Sequence, residues 1–275
     1  MVKSARQRYT SPENARDPEH DFAMQHDDAF AARYDAWFAT PEGKVAFERE
    51  KALLADLVSA WPRRGQRLLE IGCGTGMFLE CFYEWGFDVD GVDPSAAMLK
   101  GARARMGKRA DLRLGHAEHL PMDDKEYDYV TLITALEFCE DPEAAMREAV
   151  RVARKGVLVG FLNRRSFYAL STRCSCLCGD KGHVSSMRAA RWFSLRDVVR
   201  LFANAAGKKP RRARSVLPGP PATWREGLPF RLLNHPLYPG WLGGFCAVRF
   251  DLVGDKPLTP LAAFTTEASP SGGSA

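Results

Sequence analysis

Three glycines at alternate positions, Gly72, Gly74 and Gly76 in the stretch LLEIGCGTG, make a backbone bare enough to lie directly against a ligand. An apolar run enters this turn, and a helix-like segment, MFLECFYEWG, leaves it. A helix starting near Gly76 points free N–H groups and its positive dipole end outward, which suits a carboxylate. Asp93 lies 17 residues beyond Gly76 at the end of the next apolar run, placed to accept hydrogen bonds from both hydroxyls of a ribose. The spacing removes two common ligands. A nucleoside-triphosphate loop needs Gly-x-x-x-x-Gly-Lys-[Ser/Thr], and no Lys-Ser or Lys-Thr follows these glycines. A dinucleotide loop needs Gly-x-Gly-x-x-Gly, but the sixth position counted from Gly72 is Met77.

A ribose and a carboxylate without a pyrophosphate describe S-adenosyl-L-methionine. Four segments in order, LLEIGCGTG, GVDPSAAML, GHAEHLPMDDKEYDYV and EDPEAAMREAVRVARKGVLVGF, resemble motifs of the class I S-adenosylmethionine-dependent methyltransferases. The subgroup they resemble is the small-molecule one, methyltransferase type 11, which includes quinone-biosynthesis enzymes. The resemblance covers about residues 66–161, and more loosely ARWFSLRDVVRLFANAAG and the last strand pair. It implies that Glu70, Gly72, Cys73, Gly74 and Gly76 wrap the methionine moiety and that Asp93, followed by Pro94, holds the ribose. Met98 would flank the adenine, His116, Ala117 and Glu118 would frame it, and Thr134 completes the implied cofactor set. His116 stands where the subgroup commonly has Asp or Asn; a neutral histidine still accepts through one ring nitrogen. Tyr34 in RYDAWF matches an N-terminal aromatic that closes over the cofactor, unless Tyr34, Trp37 and Phe38 only cover the sheet.

Methyl transfer from a sulfonium is an in-line displacement, so alignment in a water-poor pocket matters more than any universal catalytic residue. The acceptor is expected to be a small molecule methylated on O, N or S. LITALEF stands where the nucleotide- and amide-modifying branch carries [Asp/Asn]-Pro-Pro-[Tyr/Phe], which disfavours that branch. Acceptor contacts are expected from Trp37, Phe138, Asn163 and Arg164, and the candidates for a base are His183 and Glu137. An alternative comes from RCSCLCGD. Cys174, Cys176 and Cys178, with His183 following, could collect a thiophilic metal or metalloid, making the chain a metalloid methylase or a non-catalytic binder. The Cys-x-Cys spacing is not the usual zinc spacing, and inert thiols remain the plain reading. The basic run KKPRRAR (residues 208–214) reads as a charged edge strand in preference to a nucleic-acid contact.

The elements that must position these residues alternate. From residue 67, five short apolar strands alternate with helices, which predicts a parallel sheet covered on both faces. SLRDVVRLFANAAG adds a helix with Ser194 and Asp197 as a capping pair and Gly207 as its stop. DPEAAMREAVRVARKG reads as a helix with Asp141 as cap, Pro142 next and Gly156 just past its end, and Pro94 is expected in the first turn of its own helix. With the resemblance, the fold class is a Rossmann-like doubly wound α/β sheet of seven strands, order 3-2-1-4-5-7-6, the last strand antiparallel. A flexible arm is expected over 1–28 and one domain over 29–253, with cap helices over 29–65 separated at Thr40-Pro41, Pro41 suiting the first turn of the second, a substrate-side insertion over 162–192 and a disordered tail over 254–275. The chain has 275 residues, 45% hydrophobic and 27% charged, with a net charge of +5, a composition that excludes wholesale disorder. No apolar run long enough to span a membrane occurs and the first twenty residues lack an apolar export core, so the expected location is the cytoplasm, with free thiols.

Overall fold

The computed structural model describes residues 28–177 and 190–253. Two helices come first, α1 (Asp28–Ala39) and α2 (Pro41–Val58). They break at Thr40, whose hydroxyl accepts from the Gly43 N–H while Pro41 takes the first turn, as the sequence predicts. The alternating region follows as β1 (Arg67–Ile71), α3 (Met77–Glu84), β2 (Asp88–Asp93), α4 (Ala96–Met106), β3 (Ala110–Leu114), β4 (Tyr127–Ile133), α5 (Pro142–Val152) and β5 (Ala153–Leu162). The chain closes with α6 (Phe167–Leu177), α7 (Leu195–Ala206), β6 (Arg212–Val216), α8 (Phe230–Asn234), β7 (Tyr238–Pro239) and β8 (Phe245–Asp251). The sheet order is β3-β2-β1-β4-β5-β8-β6-β7. Strands β1 to β5 are parallel, and β8 runs antiparallel between β5 and β6.

Seven strands therefore stand in the expected order, and an eighth extends the edge. It is the pair Tyr238–Pro239 on β6, held by the Ser215 hydroxyl, which donates to the Pro239 carbonyl at 2.7 Å. Proline tolerates this place because an edge residue needs no outward N–H. Two boundaries also differ from expectation. Helix α5 ends at Val152 and Gly156 lies inside β5, paired with Tyr129 of β4 and Asp251 of β8; the Trp61 ring lies over it, and a Cβ there would meet that ring at 2.9 Å. Pro94 precedes α4, and Ser95 is the cap, its hydroxyl accepting from the Met98 N–H at 3.2 Å.

Side chains of the sheet alternate between two cores, as the period-two geometry of strands requires. Leu68, Val89, Tyr129, Leu158 and Ala247 face α2, α3 and α4; Leu69, Ile71, Val130, Val157 and Phe250 face α5 and α7. Trp61 stacks on Tyr129 at 4.1 Å and ties its indole N–H to Asp251, while Phe202 of α7 stacks on Phe250 at 3.7 Å. Each such buried aromatic contributes about 2–3 kcal/mol of apolar burial. These contacts tie the segment after α2 to β4 and β8 on one face, and α7 to β8 on the other. The residues of KKPRRAR are partly paired: Arg212 meets Asp56 at 3.2 Å and Arg211 meets Asp251 at 3.9 Å. Among the described residues, no helix is long and apolar enough to cross a membrane.

Candidate functional site

The glycine turn joins β1 to α3. Gly72, Gly74 and Gly76 all take positive φ, at 70°, 54° and 80°, a region costly for residues with a Cβ. Val92 pins the turn by accepting from the N–H groups of Gly72 and Cys73 at 2.8 and 3.1 Å. The three glycines have different surroundings. A Cβ on Gly72 would collide with Ala135 at 2.6 Å, and one on Gly76 would crowd Ala102 at 3.4 Å, but Gly74 has nothing within 4 Å. Gly74 is thus the open face of the turn. Cys73 turns its thiol inward, where a Cβ on Gly91 would lie 2.8 Å from the sulfur, and burial keeps that thiol protonated.

Asp93 ends β2 beside this open face and is 7% exposed. Its Oδ2 accepts from the Gly74 N–H and its Oδ1 from the Ser95 N–H, both at 2.9 Å. The carboxylate is locked in plane by these two hydrogen bonds. Glu70, on β1, is 1% exposed, and its Oε2 has no hydrogen-bond partner. Burial, then the charge of Asp93, raises its pKa well above the ordinary carboxylate range. A carboxyl so placed either stays neutral or waits for a cation.

Tyr34 comes from α1 with its hydroxyl end inward. Burial first, and then Glu50, Glu70, Asp35 and Asp93, suppress its ionisation. The helix is fastened to the turn by its neighbour Asp35, which accepts from the Thr75 hydroxyl at 2.6 Å and pairs with Arg105 at 3.4 Å. Arg105 also donates to the Thr75 carbonyl. Trp37 packs against Phe38 beside the core, so the aromatics of α1 both cover the sheet and reach the turn.

The remaining expected residues divide. Met98 is 5% exposed on the first turn of α4, and Pro94 adjoins Asp93. His116 is exposed and Ala117 half-buried in the loop after β3. Glu118 holds that loop to the start of α5, accepting from the N–H groups of Glu140 and Asp141 at 2.9 and 3.4 Å. Thr134 ends β4 at a positive φ of 50°, a strained place for a β-branched residue. Phe138 closes the short turn after it, and the Glu137 carboxylate there accepts from the Leu162 N–H at 2.7 Å. Burial brings Glu137 up to about 7, and its second oxygen has no partner.

Asn163 is engaged within the protein: its amide donates to Trp241 and Gly243 and accepts from Arg165. Arg164 pairs with Asp197 at 3.2 Å and lines a cavity of about 410 Å³ with Phe167, Leu170 and Trp241. That cavity shares no residue with the glycine turn; it lies where the loop after β5 and the start of α6 meet Trp241 and Leu242. Cys178 and His183 lie outside the described residues, and the Cys174 and Cys176 side chains, on the last turns of α6, are likewise outside them. Among the described residues, no group of three His, Cys, Asp or Glu side chains gathers as a metal site.

The family described as "Methyltransferase domain" matches residues 69–161, the stretch that holds the turn, Asp93, Thr134 and Glu137. Residues 69–161 are thus similar to a methyltransferase domain. The chain is 35% identical over 142 residues to an uncharacterized protein of Methanocaldococcus jannaschii, covering 51% of this chain and 62% of that one. It is 36% identical over 108 residues to the demethylmenaquinone methyltransferase of Renibacterium salmoninarum, covering 39% of this chain and 44% of the relative. The chain thus spans less than two thirds of the length of these curated relatives. A solved S-adenosylmethionine-dependent methyltransferase of Thermotoga maritima, described as a possible histamine N-methyltransferase, is 26% identical with a TM-score of 0.63. The match covers 82% of this chain and 98% of that one.

Around the glycine turn, sequence reasoning missed Asp35, Thr75, Arg105 and Glu50. Asp35 adjoins Tyr34 in RYDAWF, and its charge one residue from an aromatic anchor was the available signal. Gly74 offers a direct check. Because its Cβ position is empty, Gly74→Ala is expected to cost about 1 kcal/mol of stability from its positive φ alone, while filling the space a ligand needs. A thermal melt that drops only slightly, beside ligand affinity reduced at least about tenfold, is the expected pair of results.

Proposed function

We propose that the protein is an S-adenosylmethionine-dependent methyltransferase that methylates an O, N or S atom of a small molecule. The observation that carries this reading is the locked Asp93 carboxylate beside the open face of Gly74. The residues fit the cofactor group by group. Asp93 accepts from the ribose hydroxyls, and the Glu70 carboxyl with its orphaned oxygen receives the amino-acid ammonium. The α3 N-terminus, starting after Gly76, faces the carboxylate, while Met98, Ala117 and the His116–Glu118 loop border the adenine. When bound, the cofactor supplies an electrophilic methyl on a sulfonium. Tyr34, clamped through Asp35 and Thr75, closes over that centre and excludes water. Thr134, Glu137 and Phe138 follow β4 and shape the far wall, where the acceptor atom must come in line with the methyl and the sulfur.

The archaeal relative leaves the acceptor open, and the demethylmenaquinone and histamine names of two others point to different nucleophiles. Incubation of the full chain with methyl-labelled cofactor and small-molecule extract separates catalysis from mere binding. Label appearing in an extract compound, and not without protein, is the expected result. A protein that binds the cofactor yet never releases label to any compound would be a binder instead.

A further inference from the structure

Helix α6 buries one side and shows the other. Its Tyr168 ring is buried, 5.3 Å from Trp192 and 4.9 Å from Trp224. Phe167 and Leu170 of the same helix are 62% and 57% exposed, and Trp241 is 62% exposed. These three line one hollow of about 410 Å³ together with Arg164 and Arg165. Large apolar side chains left in water forgo the burial a core would give them, so three around one hollow mark a contact surface.

Residues 217–244, between β6 and β8, pack onto this helix and extend the surface. Trp224 meets the Tyr168 ring, and the Asn234 amide beyond it donates to the Thr223 carbonyl at 2.7 Å. The Tyr238 hydroxyl donates to the Leu233 carbonyl at 2.8 Å, and the Asn163 amide holds the Trp241 carbonyl at 3.0 Å. The stretch so fastened leaves Leu228 and Leu232 75% and 70% exposed. Positive charge accompanies the apolar groups. Residues 163–172 and 217–242 carry four arginines, Arg164, Arg165, Arg225 and Arg231, against one acid, Glu226, a balance of four minus one, or +3. All four arginines are exposed, and among the described residues only Arg164 meets a carboxylate, that of Asp197.

We propose that this surface docks on an anionic lipid bilayer, with Phe167, Leu170 and Trp241 entering the boundary between headgroups and acyl chains. An indole at that depth buries its ring and keeps its N–H in the polar layer. The arginines lay their apolar stems along the same surface and present their forks to lipid phosphates. A second copy of this chain is the poorer occupant, because a two-fold contact sets the same arginines against one another. An acidic lipid surface complements them instead. Strands β1, β4 and β5 are parallel, so the loop after β5 and the glycine turn leave the sheet at the same end. Docking therefore turns the end that bears the glycine turn toward the bilayer.

The test is co-sedimentation of the full chain with vesicles of phosphatidylcholine alone and of phosphatidylcholine mixed with phosphatidylglycerol. Binding to the mixed vesicles is expected to be at least about tenfold tighter, at roughly fivefold for each arginine that reaches the surface. Raising the salt should shrink that preference. Arg165→Gln should weaken binding to mixed vesicles by about fivefold. Phe167→Ala combined with Trp241→Ala should weaken it by at least about tenfold. Both rings are exposed, so thermal melts of that double variant should stay close to those of the unaltered chain. Arg165→Gln tests the charge without touching the packing at all. No binding to mixed vesicles, equal binding to both kinds, or binding that these substitutions leave intact overturns the proposal. Self-association without vesicle binding, lost in the double variant, overturns it too and gives the surface to a second copy.

Discussion

Asp93→Ala is expected to lower affinity for S-adenosylmethionine and S-adenosylhomocysteine by on the order of 100- to 1000-fold while leaving a folded protein. Two effects combine. The first is the loss of two charge-assisted hydrogen bonds to the ribose hydroxyls, each contributing about 1.5–3 kcal/mol. The second is loss of order in the turn itself, because the Asp93 carboxylate also holds the N–H groups of Gly74 and Ser95 at 2.9 Å. Those two N–H groups then turn to water at a cost of roughly 1–2 kcal/mol of stability, which the two cores of the sheet can sustain. Calorimetric titration beside a thermal melt checks both parts. Unchanged affinity would remove Asp93 from the ribose; complete unfolding would make it a structural strut first.

Glu50→Gln is expected to stabilise the free protein, and by more as the pH rises. The folded Glu50 carboxyl holds its proton up to about 8, against 4.5 for the ordinary group. Between those values the folded state binds more protons than the unfolded chain, so the stability that Glu50 permits is present at low pH and lost as pH rises toward 8. At neutral pH that loss amounts to roughly 3 kcal/mol, which a neutral glutamine does not suffer. The melting temperature of Glu50→Gln should match the unaltered chain near pH 5 and exceed it by roughly 5–10 °C near pH 8. Melts across that range, without cofactor, check it. An equal or lower melting temperature at pH 8 would mean that Glu50 has a stabilising partner. A residue that destabilises the fold it sits in is the pattern expected where function, and not packing, selects the side chain.

The glycine turn and Asp93 were legible because their chemistry is local. Alternate glycines demand positive φ within one turn, and the strand ending at Asp93 is short, apolar and close in sequence. Capping was legible for the same reason: the Ser194–Asp197 box and the Thr40–Pro41 break each lie within four residues and appear in the structure as read. Boundaries set by distant contacts were not. Gly156 looks like a helix stop, and only its pairing with Tyr129 and with Asp251, far along the chain, makes it a strand residue. β7 is two residues long and exists because the edge of β6 accepts it, which no period in the sequence announces.

The same distinction runs through the site. Asn163 looked available to an acceptor because asparagine in a loop usually is, but Trp241 and Gly243, nearly eighty residues on, take its amide. Glu50 was hidden for the opposite reason. In EREKALL it reads as one acid among solvated charges, and the helix must pack before its burial in the apolar stripe of α2 becomes visible. Asp35 and Thr75 are forty residues apart, and their 2.6 Å hydrogen bond follows only from the placing of α1 over the turn.

The central claim is that the Gly74–Asp93 corner, with Glu70 behind it, holds S-adenosylmethionine. Calorimetric titration of the full chain with S-adenosylhomocysteine tests it most directly. The account predicts saturable binding of a single equivalent, weakened by both Asp93→Ala and Gly74→Ala. No binding by the unaltered chain at high micromolar ligand, or binding that both substitutions leave untouched, would contradict it.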